Sequence, residues 1–174
     1  MRQFVDWQRH SQPAWKRAVA LAAAFLIFPT GIPWLLLAGL PALDPWARLG
    51  WGTAGLWLGW AGVVLGAPLA LWTVATQLLR ADGTPLPMMP TQRLLAGGPY
   101  GLCRNPMVLG TGMAYVGLAL VSGSVVSLAA AGGFFAGLLA YIRLVEEKEL
   151  ELRFGQAYLE YKRNTPFLLP RFRW

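Results

Sequence analysis

Between Leu49 and Leu79 the chain runs for 31 residues without a charged side chain. That stretch limits the fold more than any other feature. A helix of this length outruns the ~30 Å hydrocarbon core of a bilayer at 1.5 Å of rise per residue. It is expected to tilt, to bend near Gly66 and Pro68, or to project beyond the membrane. A second apolar run, Ala18 to Leu40, holds 23 residues and also suffices to cross, and Pro29 and Pro33 are expected to kink it. It is too long for the apolar part of a secretory leader and is read as a span. A third stretch, Met107 to Ile142, is too long for one helix, and Ser122-Gly123-Ser124 inside it has turn chemistry. It reads as a helical hairpin with arms of roughly Pro106–Val121 and Val125–Val145. The short first arm is expected to pack against protein rather than to span alone. The fold class is therefore all-α: a polytopic membrane protein of about four transmembrane helices with a C-terminal helical hairpin.

The charges follow the same layout. Only 13% of residues are charged, against about a quarter in soluble domains. Arg2, Arg9, Lys16 and Arg17 precede the first run, Arg80, Arg93 and Arg104 lie between the second and third, and seven more follow from Arg143. Of the basic residues, only Arg48 falls on the opposite side. The positive-inside rule puts both termini in the cytoplasm. The net charge of +7 then serves orientation and contact with anionic headgroups, and no nucleic-acid partner is implied. One cysteine, Cys103, excludes an internal disulfide, and the lone histidine, His10, leaves no metal-ligand spacing.

Beyond the hairpin, Glu146 to Lys162 is charged yet amphipathic. Leu150, Phe154, Tyr158 and Tyr161 recur at helical spacing and mark one face of a cytoplasmic C-terminal helix. Pro166 and Pro170 end it. Phe167, Leu168, Leu169, Phe172 and Trp174, with Arg171 and Arg173 between them, suit the headgroup region.

Two polar clusters interrupt the apolar chain: Gly97 to Pro106, and Arg143-x-x-Glu146-Glu147. The hairpin brings them together at the cytoplasmic ends of its arms. Each has a plain structural reading. Asn105-Pro106 is a good helix start, Arg104 an anchor, Arg143 and Glu147 an i,i+4 pair, and Glu146-Glu147 a solvated face. The other reading is a binding site. Carboxylates at the membrane boundary need pairing or solvation, a helix start offers free N–H groups, and Arg104 can hold a carboxylate with two hydrogen bonds. Such a site suits a zwitterion, with Arg104 for its carboxylate and Glu146 or Glu147 for its ammonium or sugar hydroxyls. Cys103 adjoins Arg104, a neighbour that can lower a thiol's pKa, but it reads foremost as an incidental small residue.

At these residues the chain resembles the isoprenylcysteine carboxyl methyltransferase family, which is related to the membrane phospholipid methyltransferases. The resemblance spans about residues 77–171. It rests on Gly-Thr-Pro-x-Pro (83–87), Gly-Pro-Tyr (98–100), Arg-Asn-Pro-Met (104–107), Glu146-Glu147, and Phe-Gly-x-x-Tyr-x-x-Tyr (154–161) followed by Pro170. It implies an S-adenosyl-L-methionine-dependent methyltransferase embedded in the membrane, with its cofactor site on the cytoplasmic side and a lipophilic substrate entering from the bilayer. On this likeness Gly98, Tyr100, Arg104, Asn105, Pro106, Glu146, Glu147 and Tyr158 bind the cofactor, and Arg104, Asn105 and Glu147 are catalytic. The chain is then one integral membrane domain, 1–174, with helices 1 and 2 in 1–80 and the catalytic region in 81–174. Asn105 stands where many members have histidine, and Val108 where tyrosine is usual.

The implied chemistry is in-line displacement at a sulfonium methyl, in which positioning and exclusion of water dominate. The acceptor is a prenylcysteine-like carboxylate, a lipid amine or a hydrophobic thiol. An amine must first lose a proton, and the available bases are Glu146, Glu147 or a tyrosine, since asparagine is none. Rival readings are an NADPH-dependent reductase of the sterol-reductase type and a non-catalytic membrane protein of the same fold.

Overall fold

The computed structural model describes residues 14–45, 51–80 and 93–170. The Gly-Thr-Pro-x-Pro element, Arg48, Arg2, Arg9 and the last four residues lie outside that set. Every regular element among the described residues is helical. Helix α1 (14–42) runs from Ala14–Leu26 through two π turns, Ile27–Gly31 and Leu35–Gly39, to Leu40–Ala42. Helix α2 is Gly52–Arg80, α3 the short Pro99–Leu102, α4 Pro106–Ser122 and α5 Val125–Tyr141. A third π turn, Ile142–Glu146, joins α5 to α6 (Glu147–Phe154), and α7 is Gln156–Asn164. Three runs are long and apolar enough to cross a membrane, Leu21–Ala42, Gly52–Arg80 and Val125–Phe154, and Pro106–Ser122 is a shorter apolar helix. The chain is an integral membrane protein.

The described chain falls into two compact units. The first holds residues 25–70 and 108–139. A bilayer gives no hydrophobic drive between helices, so close packing needs small residues at the contact. Gly59, Gly62 and Gly66 of α2 supply them against Gly110, Met113 and Gly117 of α4. A methyl group on Gly66 would meet the Ala114 nitrogen at 2.7 Å, and one on Gly110 the Ala70 nitrogen at 2.6 Å. Leu36, Ala114, Tyr115, Ala119 and Ala131 form the buried core. Phe25, Trp57, Leu58 and Leu65 point outward, as lipid-facing side chains do.

In α1 the kinks expected at Pro29 and Pro33 are taken up as π turns. The Ile32 N–H reaches the Ile27 carbonyl and the Leu40 N–H the Leu35 carbonyl. The next donors in that register would be Pro33 and Pro41, which have no N–H, so the carbonyls of Phe28 and Leu36 lose their helical partners. Each is served from the hairpin. The Tyr115 hydroxyl donates to the Phe28 carbonyl at 2.7 Å and the Ser127 hydroxyl to that of Leu36 at 2.9 Å. The hairpin turn falls at Ser122–Ser124 as read from the sequence, with Gly123 at φ 68°. The Ser124 hydroxyl and the Val126 N–H both donate to the Asp44 carboxylate, at 2.6 and 3.3 Å.

The second unit holds, among the described residues, 14–24, 71–80, 93–107 and 140–170. Here the expected single amphipathic helix from Glu146 to Lys162 is broken. Gly155, at φ 54° and ψ −129°, ends α6 and starts α7, a backbone region that essentially only glycine enters. Tyr158 and Tyr161 of the expected stripe are buried, while Leu150 and Phe154 are half-buried.

Candidate functional site

The second unit brings the two polar clusters into contact. Gly98 sits at φ 63° and turns the chain into α3, with the Trp72 ring 3.8 Å from where a side chain would begin. Tyr100 leaves α3 toward α2, and the Gln77 amide donates to its phenol oxygen at 2.6 Å. Cys103 is extended, and Pro106 opens α4, so Arg104 and Asn105 lie on the short link between two helices.

Arg104 Nη1 stands 3.0 Å from Glu147 Oε1, with the two side chains only 11% and 10% exposed. The N–H groups do not align with that oxygen. Arg104 Nε and Nη1 and Glu147 Oε1 are buried without a hydrogen-bond partner, and so is Gln77 Oε1. Charges withdrawn from water this far need both their attraction and their full set of hydrogen bonds to offset desolvation. The unused donors of Arg104 and the unused acceptor of Glu147 therefore fit a ligand that brings one carboxylate and one ammonium. Glu147 Oε2 is held by Lys162 Nζ at 2.7 Å, and the same ammonium reaches Glu151 Oε1 at 2.8 Å. Glu146, half-buried, makes no ion pair among the described residues.

The expected Arg143–Glu147 pair does not form. The π turn at Ile142–Glu146 adds a residue to the helical turn and rotates Glu147 out of i,i+4 register with Arg143. Arg143 lies instead over the Phe167 ring at 4.5 Å, and Arg104 faces the same ring at 5.6 Å. Phe167 is thus engaged inside the unit, whereas Leu169 is exposed. The segment after α7 straps the link: the Arg104 N–H donates to the Pro166 carbonyl at 2.9 Å, and the Asn105 amide to that of Phe167 at 2.8 Å. The Tyr161 hydroxyl donates to the Tyr100 carbonyl at 2.7 Å.

Burial raises the pKa of Tyr100 and of Tyr161 well above the ordinary phenol value, and pushes Tyr158 up to about 12, helped by the Glu147 carboxylate. None of the three is a phenolate near neutral pH. Cys103 is fully buried, and burial raises its thiol rather than lowering it. The neighbouring guanidinium is turned to Glu147, and no thiolate is favoured at Cys103.

Of the residues singled out in the sequence, Arg104, Glu147 and Tyr158 gather around one charge cluster, and Asn105 and Tyr100 brace it. Val108 is buried in the first unit. Sequence reading missed Gln77, whose signal was an amide at the end of an apolar run, and Lys162, which carried none.

A family model for phospholipid methyltransferases matches residues 54–157, more than half of the chain. Comparison with curated proteins and with solved structures gave no match. The matched stretch contains Gly98, Arg104 and both Glu146 and Glu147. The chain belongs to the phospholipid methyltransferase family, to which the isoprenylcysteine carboxyl methyltransferases are related, and is an integral membrane methyltransferase.

Proposed function

We propose that this methyltransferase uses S-adenosyl-L-methionine and that its acceptor is a lipophile drawn from the bilayer. The observation that carries the reading is the buried Arg104–Glu147 contact with unused hydrogen-bonding atoms on both partners. The amino-acid end of that cofactor bears one carboxylate and one ammonium, which matches them. When bound, it supplies an electrophilic methyl group on a sulfonium.

The residues of the chain then have separate tasks. Arg104 binds the carboxylate through two N–H groups, a geometry that lysine lacks. Glu147 accepts from the ammonium through Oε1. Gly98 and Tyr100 wall the pocket, and Tyr158 packs beside the ion pair. Pro106 fixes the start of α4, and Asn105 holds the Arg104 link against the C-terminal strap. Glu146 makes no ion pair among the described residues and is the group in place to take a proton from an amine acceptor. A carboxylate or thiolate acceptor needs no such base. A prenylcysteine-like acid, a lipid amine and a hydrophobic thiol all satisfy this arrangement. The distribution of lysine and arginine supports a reading in which both termini and the site face the cytoplasm.

Titration calorimetry of detergent-purified protein with S-adenosylhomocysteine tests the reading. Binding in the micromolar range that weakens in Glu147→Gln supports it. Binding of NADPH instead would favour a reductase, and binding of neither by folded protein a non-catalytic role.

A further inference from the structure

The geometry points to Lys162 as the residue that positions Glu147, through a 2.7 Å ion pair to Oε2 that leaves Oε1 free for the ligand. This rests on the cofactor reading above. Lys162 lies beyond the stretch matched by the family model, on α7, and reaches the site only because Gly155 turns that helix away from the line of α6.

The two oxygens of Glu147 are in different situations. Oε2 is held by an ammonium that is anchored a second time, on Glu151 Oε1 at 2.8 Å. Glu147 and Glu151 are four residues apart and share a face of α6, so one lysine spans both. Oε1 has no hydrogen bond and stands 3.0 Å from Arg104. The Lys162 side chain is 34% exposed, so its charge keeps part of its hydration, while that of Arg104 is 11% exposed. Lys162 therefore neutralises Glu147 from the solvent side. Arg104 is left with N–H groups available to an anion of its own.

Without that ammonium, the Glu147 carboxylate has one cation left. An arginine and a carboxylate free to rotate form a two-bond pair, which would use the same N–H groups and the same oxygen that a ligand needs. Lys162 thus acts on the ligand through Glu147 and does not touch it. The two carboxylates raise the Lys162 pKa above the ordinary lysine value, which keeps it charged at working pH.

The test compares S-adenosylhomocysteine affinity in wild type, Lys162→Met, Lys162→Arg, Glu147→Gln and the Lys162→Met/Glu147→Gln double variant, each checked for folding by its melting midpoint. Lys162→Met is expected to weaken binding about tenfold, the scale of one charge-assisted hydrogen bond. Lys162→Arg should recover most of that loss. The double variant should bind no more weakly than Glu147→Gln alone, because both changes remove one function. Unchanged affinity in Lys162→Met, failure of arginine to rescue, or losses that add in the double variant would each overturn the positioning role. A wild type that does not bind overturns the cofactor reading and this one with it. A wild type that binds, with Lys162→Met unchanged, overturns this one alone.

Discussion

Replacing Tyr115 by phenylalanine removes one oxygen from a side chain that is 6% exposed, and it should destabilise the protein through a carbonyl on another helix. The Phe28 carbonyl has no backbone donor, because the Ile32 N–H is committed to Ile27 and Pro33 has none. The Tyr115 hydroxyl, 2.7 Å away, is its partner. An orphaned carbonyl in apolar surroundings costs about 1–2 kcal/mol, toward the upper end of what membrane hydrogen bonds return. For a chain of this length that lowers the melting midpoint by about 2–8 °C. Tryptophan fluorescence during thermal unfolding in detergent reads the change. The decisive comparison is the same substitution in a Pro33→Ala background. Alanine restores an N–H for the Phe28 carbonyl, so there Tyr115→Phe should cost less than about 0.5 kcal/mol. Ser127→Ala paired with Pro41→Ala should behave alike, since Ser127 serves Leu36 in the same way. Equal losses with and without the proline would refute the argument that the hydroxyl substitutes for a missing backbone donor.

Two further outcomes follow from packing and burial. Gly66→Val should lower the melting midpoint strongly, because the Ala114 nitrogen lies 2.7 Å from its first side-chain atom, whereas Gly132→Ala has nothing within 4 Å and should be neutral or mildly stabilising. Equal midpoints in the two variants would contradict close α2–α4 packing. Cys103 should label slowly with a maleimide at pH 7 and faster as pH rises past the ordinary thiol range, because burial has raised its pKa and the reactive thiolate forms only there. Rapid labelling of folded protein at neutral pH would show that the thiol is neither buried nor raised.

The hairpin was readable because its turn is local chemistry: Ser122-Gly123-Ser124 supplies both a positive-φ position and cap hydroxyls. The meeting of Arg104 with Glu147 was readable for the same reason, since a hairpin fixes which ends adjoin. The π turns were not. A helix that is apolar all round shows no stripe whose drift would betray an added residue, so Arg143 and Glu147 kept a spacing on paper that the third π turn cancels in space. Gly155 was visible as a glycine, but the periodic run through Leu150, Phe154, Tyr158 and Tyr161 read across it as if the helix continued. Lys162 and the Phe167 strap depend on where α7 folds back, which no local pattern encodes.

The central claim is that Arg104 and Glu147 receive the two ends of S-adenosylmethionine. Calorimetry with S-adenosylhomocysteine on wild type and Glu147→Gln, both well below their melting midpoints, tests it most directly. The account predicts micromolar-range binding by wild type and a loss of about tenfold or more in the variant, as expected for a buried charge-assisted contact. Equal affinity in the two proteins, or no binding by a folded wild type, would contradict it.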